Sequence, residues 1–167
     1  MGSGRIVVIG VGNEFRRDDG AGRAVAALLA ERATTGALPP GTVVSVCDGD
    51  PARLIGLWEG AGLAVVVDAA YAQPATPGRI HRISLGDERP GRAATTSSHG
   101  LGLGEAVDMA RALGRLPGRL VVYAVEGSDS SLGTGLTPAV ADAVDILADA
   151  IEGELLRHRA AETGSGR

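Results

Sequence analysis

Three short runs constrain the fold of this chain more than any other feature. Residues 6–9 (IVVI), 63–67 (LAVVV) and 120–125 (LVVYAV) are almost unbroken in Val, Ile, Leu and Ala. A strand with one wet face alternates polar and apolar residues. A strand with no polar face must be covered on both sides, as happens in a parallel sheet between layers of helix. Two further strand-like runs, 42–47 and 79–85, bring the number to five. The second follows Pro77-Gly78 and mixes charge with apolar residues, which fits an edge strand after a turn.

Helical patterns fall between these runs. Ala21, Ala24, Val25, Leu28 and Leu29 recur at helical spacing, as do Leu103, Ala106, Val107 and Ala110. Asp50-Pro51 reads as an N-cap followed by proline in the first helical turn, ahead of a short helix that buries Leu54, Leu57 and Trp58. Thr137-Pro138 repeats that signal before Val140, Val144, Leu147, Ile151 and Leu155. Alternating strands and helices predict an α/β fold: a single domain over residues 1–158, with a twisted, mostly parallel five-stranded sheet flanked by helices on both faces. Residues 159–167 are small and polar and read as a disordered, frayed tail. Residues 86–98, rich in Gly, Arg, Ser and Thr, read as a long functional loop.

Composition excludes several classes. The net charge of −4 leaves no basic stripe for nucleic acid. No apolar stretch reaches the ~18 residues of a membrane span. The opening Met-Gly-Ser-Gly-Arg leads into a strand rather than the apolar core of a signal peptide, and Ile6 stands where a myristoylation signal wants Ser or Thr. A cytoplasmic protein is expected. Cys47, the single cysteine, reads as a small core residue.

The turn after the first strand, GVGNEFRRDDGAG at 10–22, carries the densest chemistry. It begins like a dinucleotide fingerprint, but Phe15 occupies the third glycine position, and the acids Asp48 and Asp50 lie too far on to hold a ribose. The adjacent acids Asp18 and Asp19 make a poor phosphate cradle and a good place to hold a cation or move a proton. Asp68 ends the third strand run and so reaches the same carboxyl edge of a parallel sheet. His99 stands where the long loop meets the third helix. Two carboxylates and an imidazole suit a divalent metal, with nickel, zinc, iron and manganese all permitted, and crowding would raise one carboxylate's pKa and make it a base. Each residue also has an ordinary use: Asp19 in complementing a helix N-terminus, Asp68 in capping a turn, His99 in a structural hydrogen bond. His81 reads as a surface residue and His158 as a solvated cation near a helix end.

At these residues the chain resembles the hydrogenase maturation proteases, endopeptidases that trim the C-terminal extension from the large-subunit precursor of nickel–iron hydrogenases. Four blocks carry the resemblance in order: GVGNEFRRDDGAG at 10–22, VVVDAAY at 65–71 followed by Pro77-Gly78, SSHGLGL at 97–103 and GTGLTPAV at 133–140. It spans almost the whole chain, from Ile6 to about Leu155. It implies a twisted sheet between helices, and it implies that Asp19, Asp68 and His99 bind metal and carry catalysis. The metal would be nickel brought in by the precursor, with other divalent ions possible. The peptide bond would be hydrolysed by metal-assisted attack or by a carboxylate activating water. A non-catalytic chaperone that binds the nickel-loaded precursor, or a small-molecule metallo-hydrolase, is the competing expectation. Two departures stand out. Family members commonly have an apolar residue where Glu14 stands, and Arg16-Arg17 make the turn more charged; all three are expected to help read the precursor tail. Glu126 follows the last strand run where some members have a proline nearby, and reads either as a further cleft acid or as an acid in solvent.

Overall fold

The computed structural model describes residues 4–85 and 103–165. The loop expected over residues 86–98, and His99 with it, lie outside the described residues. Five strands form one sheet: β1 (Arg5–Val11), β2 (Val43–Cys47), β3 (Ala61–Ala70), β4 (Ile80–Ser84) and β5 (Leu120–Glu126). Their order across the sheet is β2-β1-β3-β5-β4. β1 pairs in parallel with β2 and β3, β3 pairs in parallel with β5, and β4 runs antiparallel along β5 at the edge. The four helices are α1 (Ala21–Thr34), α2 (Pro51–Trp58), α3 (Leu103–Leu113) and α4 (Pro138–Ser165).

The apolar runs occupy the centre, as their lack of a polar face requires. Successive residues of one strand enter different cores. Ile6 and Val8 of β1, Val65 and Val67 of β3, and Val121 and Val125 of β5 pack against α1 and α4, where Val25, Leu29, Leu147 and Ile151 are buried. Val7 and Ile9, Val66, and Leu120 and Val122 face α2 and α3, with Trp58, Leu54, Val107 and Ala110. Cys47 is buried in this second core. Asp50 caps α2 by accepting from the Arg53 amide at 3.1 Å. Within α2, Leu54 and Trp58 are buried while Leu57 is only half-buried.

The carboxyl ends of β1, β3 and β5 open at one edge of the sheet. β3 continues two residues past Asp68, so Asp68 sits in the ladder opposite Ala124 rather than just beyond the strand. The edge strand β4 is fastened from beneath. Buried Glu154 of α4 accepts two hydrogen bonds from Arg82, at 2.8 and 3.0 Å, and one from the Tyr123 hydroxyl at 2.8 Å.

Two expectations about the C-terminal region need correction. α4 remains helical to Ser165, so the helix runs through most of the segment read as a tail; the Arg159–Glu162 pair at 2.9 Å spans one of its turns. His158 is not a solvated cation. Its side chain is largely buried, its Nε2 lies 3.7 Å from Glu162 Oε1 and makes no hydrogen bond among the described residues, and burial holds its pKa below the usual value. The helix face that carries it is packed where a solvated face was expected.

Candidate active site

The turn between β1 and α1 sets two neighbouring aspartates in different surroundings. It enters a single 3₁₀ turn, Arg17–Gly20, before α1 begins. Asp18 is fully buried there. Its Oδ2 accepts from the backbone amides of Ser128 (2.9 Å) and Asp129 (3.1 Å), and its Oδ1 from the amide of Thr137 (2.8 Å). The hydroxyls of Thr137 and Ser128 add further hydrogen bonds. Burial alone would raise the Asp18 pKa, but these donors outweigh it and hold the carboxyl below its usual range. Thr137, read from the sequence as a helix cap, thus gives both its amide and its hydroxyl to Asp18.

Asp19 is half-buried and points back along the turn, where its Oδ2 accepts from the Asn13 amide at 2.9 Å. Gly12 makes that placement possible. Its φ of +139° is a conformation side chains rarely adopt, and a Cβ there would strike the backbone carbonyl oxygen of Asp19.

Asp68 reaches the same edge from β3 and is only 2% exposed. Its Oδ1 accepts from the Ala69 amide at 2.8 Å, while its buried Oδ2 has no hydrogen-bond partner among the described residues. Burial, reinforced by the negative charge of Asp19, holds the Asp68 carboxyl well above the usual carboxylate range despite the Ala69 bond. The structure therefore brings Asp19 and Asp68 within electrostatic reach of each other. An unpaired oxygen this deep costs about 1–3 kcal/mol unless something else meets it. A cation fits that description, because it would satisfy the oxygen and favour loss of the Asp68 proton. Among the described residues, no group of three or more His, Cys, Asp or Glu side chains could hold a metal alone.

The model of the hydrogenase maturation protease family, HycI, matches residues 27–154. The chain belongs to the hydrogenase maturation protease family. It is thus an endopeptidase by family, a hydrolase. Its fold is shared with solved members. The hydrogenase-maturating endopeptidase HybD from Escherichia coli is 21% identical, with a TM-score of 0.71 over 92% of this chain and 93% of that one. An endopeptidase from Escherichia coli is 24% identical, with a TM-score of 0.73 over 88% and 89%. The nickel–iron hydrogenase maturation protease HybD from Thermococcus kodakarensis is 21% identical, with a TM-score of 0.68 over 90% and 99%. Comparison with curated proteins gives no match.

In this protease the remaining sequence candidates fall into place unevenly. The arginines of the first turn lie along the 129–134 loop. Arg16 reaches the Ser130 carbonyl at 3.4 Å, and Arg17 reaches the Thr134 carbonyl at 3.5 Å and the Asp129 carboxylate at 3.7 Å. Glu14 is exposed and, with Arg17, Arg23 and Leu136, lines a separate cleft beside α1. Glu126 is neither a cleft acid nor an acid in solvent. It is buried at the end of β5, accepting from the Thr76 amide at 2.9 Å and pairing with His81 at 2.7 Å, and these contacts hold its pKa below the usual value. His81, read as a surface residue, is the half-buried partner in that clasp.

Sequence reasoning gave Tyr71 no role. Its ring lies over Gly127, where a Cβ would come within 2.9 Å of the ring and 3.0 Å of the Asp18 Cβ. Burial, and then the charges of Asp19, Asp18, Asp68 and Asp129, push the phenol above its ordinary pKa, so it stays a neutral donor at physiological pH. Its position three residues after Asp68, just past the end of β3, was the available signal.

Proposed function

We propose that this protease removes the C-terminal extension from a nickel-loaded nickel–iron hydrogenase large-subunit precursor, in the cytoplasm, and that Asp19, Asp68 and His99 grip the nickel the precursor brings. The nickel is part of the substrate, which makes its presence the test of readiness for cleavage. The observation that carries this reading is the Asp68 carboxyl: buried, one oxygen unpartnered among the described residues, beside a second acid at the open edge of the sheet. A site of this kind holds a proton until a cation arrives.

Each residue then has a task. Asp68 releases its proton as the cation binds and becomes an inward-facing ligand. Asp19, fixed by the Asn13 amide, supplies the second carboxylate. A metal held between them would polarise the scissile carbonyl or lower the pKa of attacking water. Tyr71 offers a neutral hydroxyl beside the acids, suited to hydrogen-bonding a peptide carbonyl.

The test mixes purified enzyme with nickel-loaded precursor and weighs the products. The large subunit should lose a C-terminal fragment. Asp19→Asn, Asp68→Asn and His99→Ala should each stay folded by circular dichroism and lose processing by roughly 100-fold or more, the scale of removing one preorganised charge-stabilising group. Full processing by all three variants would remove the proposed site. Tight binding of the precursor with no mass loss would instead favour a chaperone of the same fold.

A further inference from the structure

On the face of the sheet that meets α2 and α3, β3 and β5 carry Val66 and Val122 in the core. One step further toward the carboxyl edge, that face carries Asp68, Ala70 and Ala124. Small side chains replace valines just where the core would otherwise continue. The result is a cavity of about 30 Å³ between this edge, β4 and α3, walled by Asp68, Ala70, Ala124, Ile83, Leu85 and Val107. Ala70, Ala124 and Val107 are buried, while Ile83 and Leu85 are half-buried on the outer side. Among the described residues every wall is apolar except one, and that one is the residue whose buried oxygen has no partner among them.

We propose that this cavity is a substrate subsite for a short aliphatic side chain, that of a residue flanking the cleaved bond. The assignment rests on the proposed proteolysis and adds its specificity. A peptide lying across Asp68 presents a polar backbone to the carboxyl and a side chain to the apolar walls. The size sets the class of side chain. An apolar cavity that accepts benzene measures about 150 Å³; this one admits one or two methyl groups and excludes a ring. A charged side chain would be buried beside Asp68, with no other polar side chain among the described walls to meet it.

The experiment uses the full-length enzyme and the nickel-loaded precursor. Mass spectrometry first fixes the cleaved bond. Each residue flanking it is then replaced in the precursor by Ala, Val, Leu, Phe and Asp, and kcat/KM is measured for each. At one of the two positions Ala or Val should be preferred over Phe and Asp by about 10–200-fold, the range one hydrophobic pocket can discriminate. Val107→Ala enlarges the cavity and should shift the preference at that same position toward Leu and Phe, while Ala124→Leu fills it and should lower kcat/KM for Val more than for Gly. A thermal melt of both variants separates loss of fold from loss of specificity, and the precursor series needs no enzyme variant at all. Cleavage with equal rates across both precursor series, or a preference that Val107→Ala leaves unchanged, overturns the subsite while leaving the protease reading intact. No cleavage of any precursor by the wild-type enzyme overturns the protease reading and the subsite with it.

Discussion

Asp18 and Asp68 are both buried aspartates near the open edge of one sheet, and they are opposites. Asp18 is surrounded by donors from a loop more than a hundred residues away, and its charge is welcome. Among the described residues Asp68 has one donor, an acid for a neighbour and an oxygen without a partner, and its charge is resisted. Burial alone therefore says little about an acid's purpose. The supply of donors separates the two: a satisfied carboxylate holds the architecture together, and an unsatisfied buried one is a candidate for binding or catalysis.

The sharpest way to break this contrast is Asp18→Ala. It would leave the amides of Ser128, Asp129 and Thr137 without their acceptor, at a cost of about 3 kcal/mol. For a chain of this size that lowers the melting temperature by about 6–12 °C, measurable by calorimetry at pH 7. Because the Asp18 pKa is lowered by folding, its contribution is complete above the unfolded value of 3.8 and disappears as pH falls through the folded value. Wild type and variant should therefore converge only in strong acid. A variant as stable as wild type at pH 7 would mean those hydrogen bonds hold nothing.

Asp68→Asn should move the other way. Folding raises the Asp68 pKa, so the folded protein binds this proton more tightly than the unfolded chain does. Stability from this group falls as pH climbs from 3.8 toward the raised value and is flat beyond it. Asparagine carries no charge at any pH. The variant should melt about 2–4 °C higher than wild type at neutral pH, corresponding to about 1 kcal/mol, with the gap closing toward pH 4. A lower melting temperature at neutral pH would show that Asp68 is structural after all.

Ser128→Ala is the finest probe. The Ser128 hydroxyl reaches Asp18 at 3.3 Å, while the amide of the same residue donates at 2.9 Å and survives the change. The loss should stay near 0.5–1 kcal/mol, about 1–4 °C in melting temperature. A much larger drop would place the weight of the network on side chains rather than on backbone amides.

The sequence reveals strands and helices here because their signals are local and periodic. Unbroken runs such as 63–67 have one solution, burial on both faces, and Asp50-Pro51 marks a helix start within two residues. That Asp19 and Asp68 come to one edge could be read because a parallel sheet sends the ends of its strands there. The division of labour between Asp18 and Asp19 could not be read this way. Half of the hydrogen bonds to Asp18 come from backbone amides, which leave no trace in residue identity, and of the two side chains that give the rest, Ser128 and Thr137, the second reads equally well as a helix cap. Glu126 and His158 escaped for a related reason. A charged residue near the end of an element looks solvated until the packing around it is known. The cavity beside Asp68 was invisible as well, since Ala70 and Ala124 are ordinary strand residues until the register places them on one face.

The Asp18 anchorage has a consequence for how the molecule is made. The segment that carries Asp19 is made first, and the groups that pin its neighbour belong to residues 128–137, more than a hundred residues later. A nascent chain stopped short of Thr137 would have its sheet strands but no fixed grip on the first turn. The first turn is thus fixed only once residues 128–137 have been made, so its shape depends on a segment synthesised long after it.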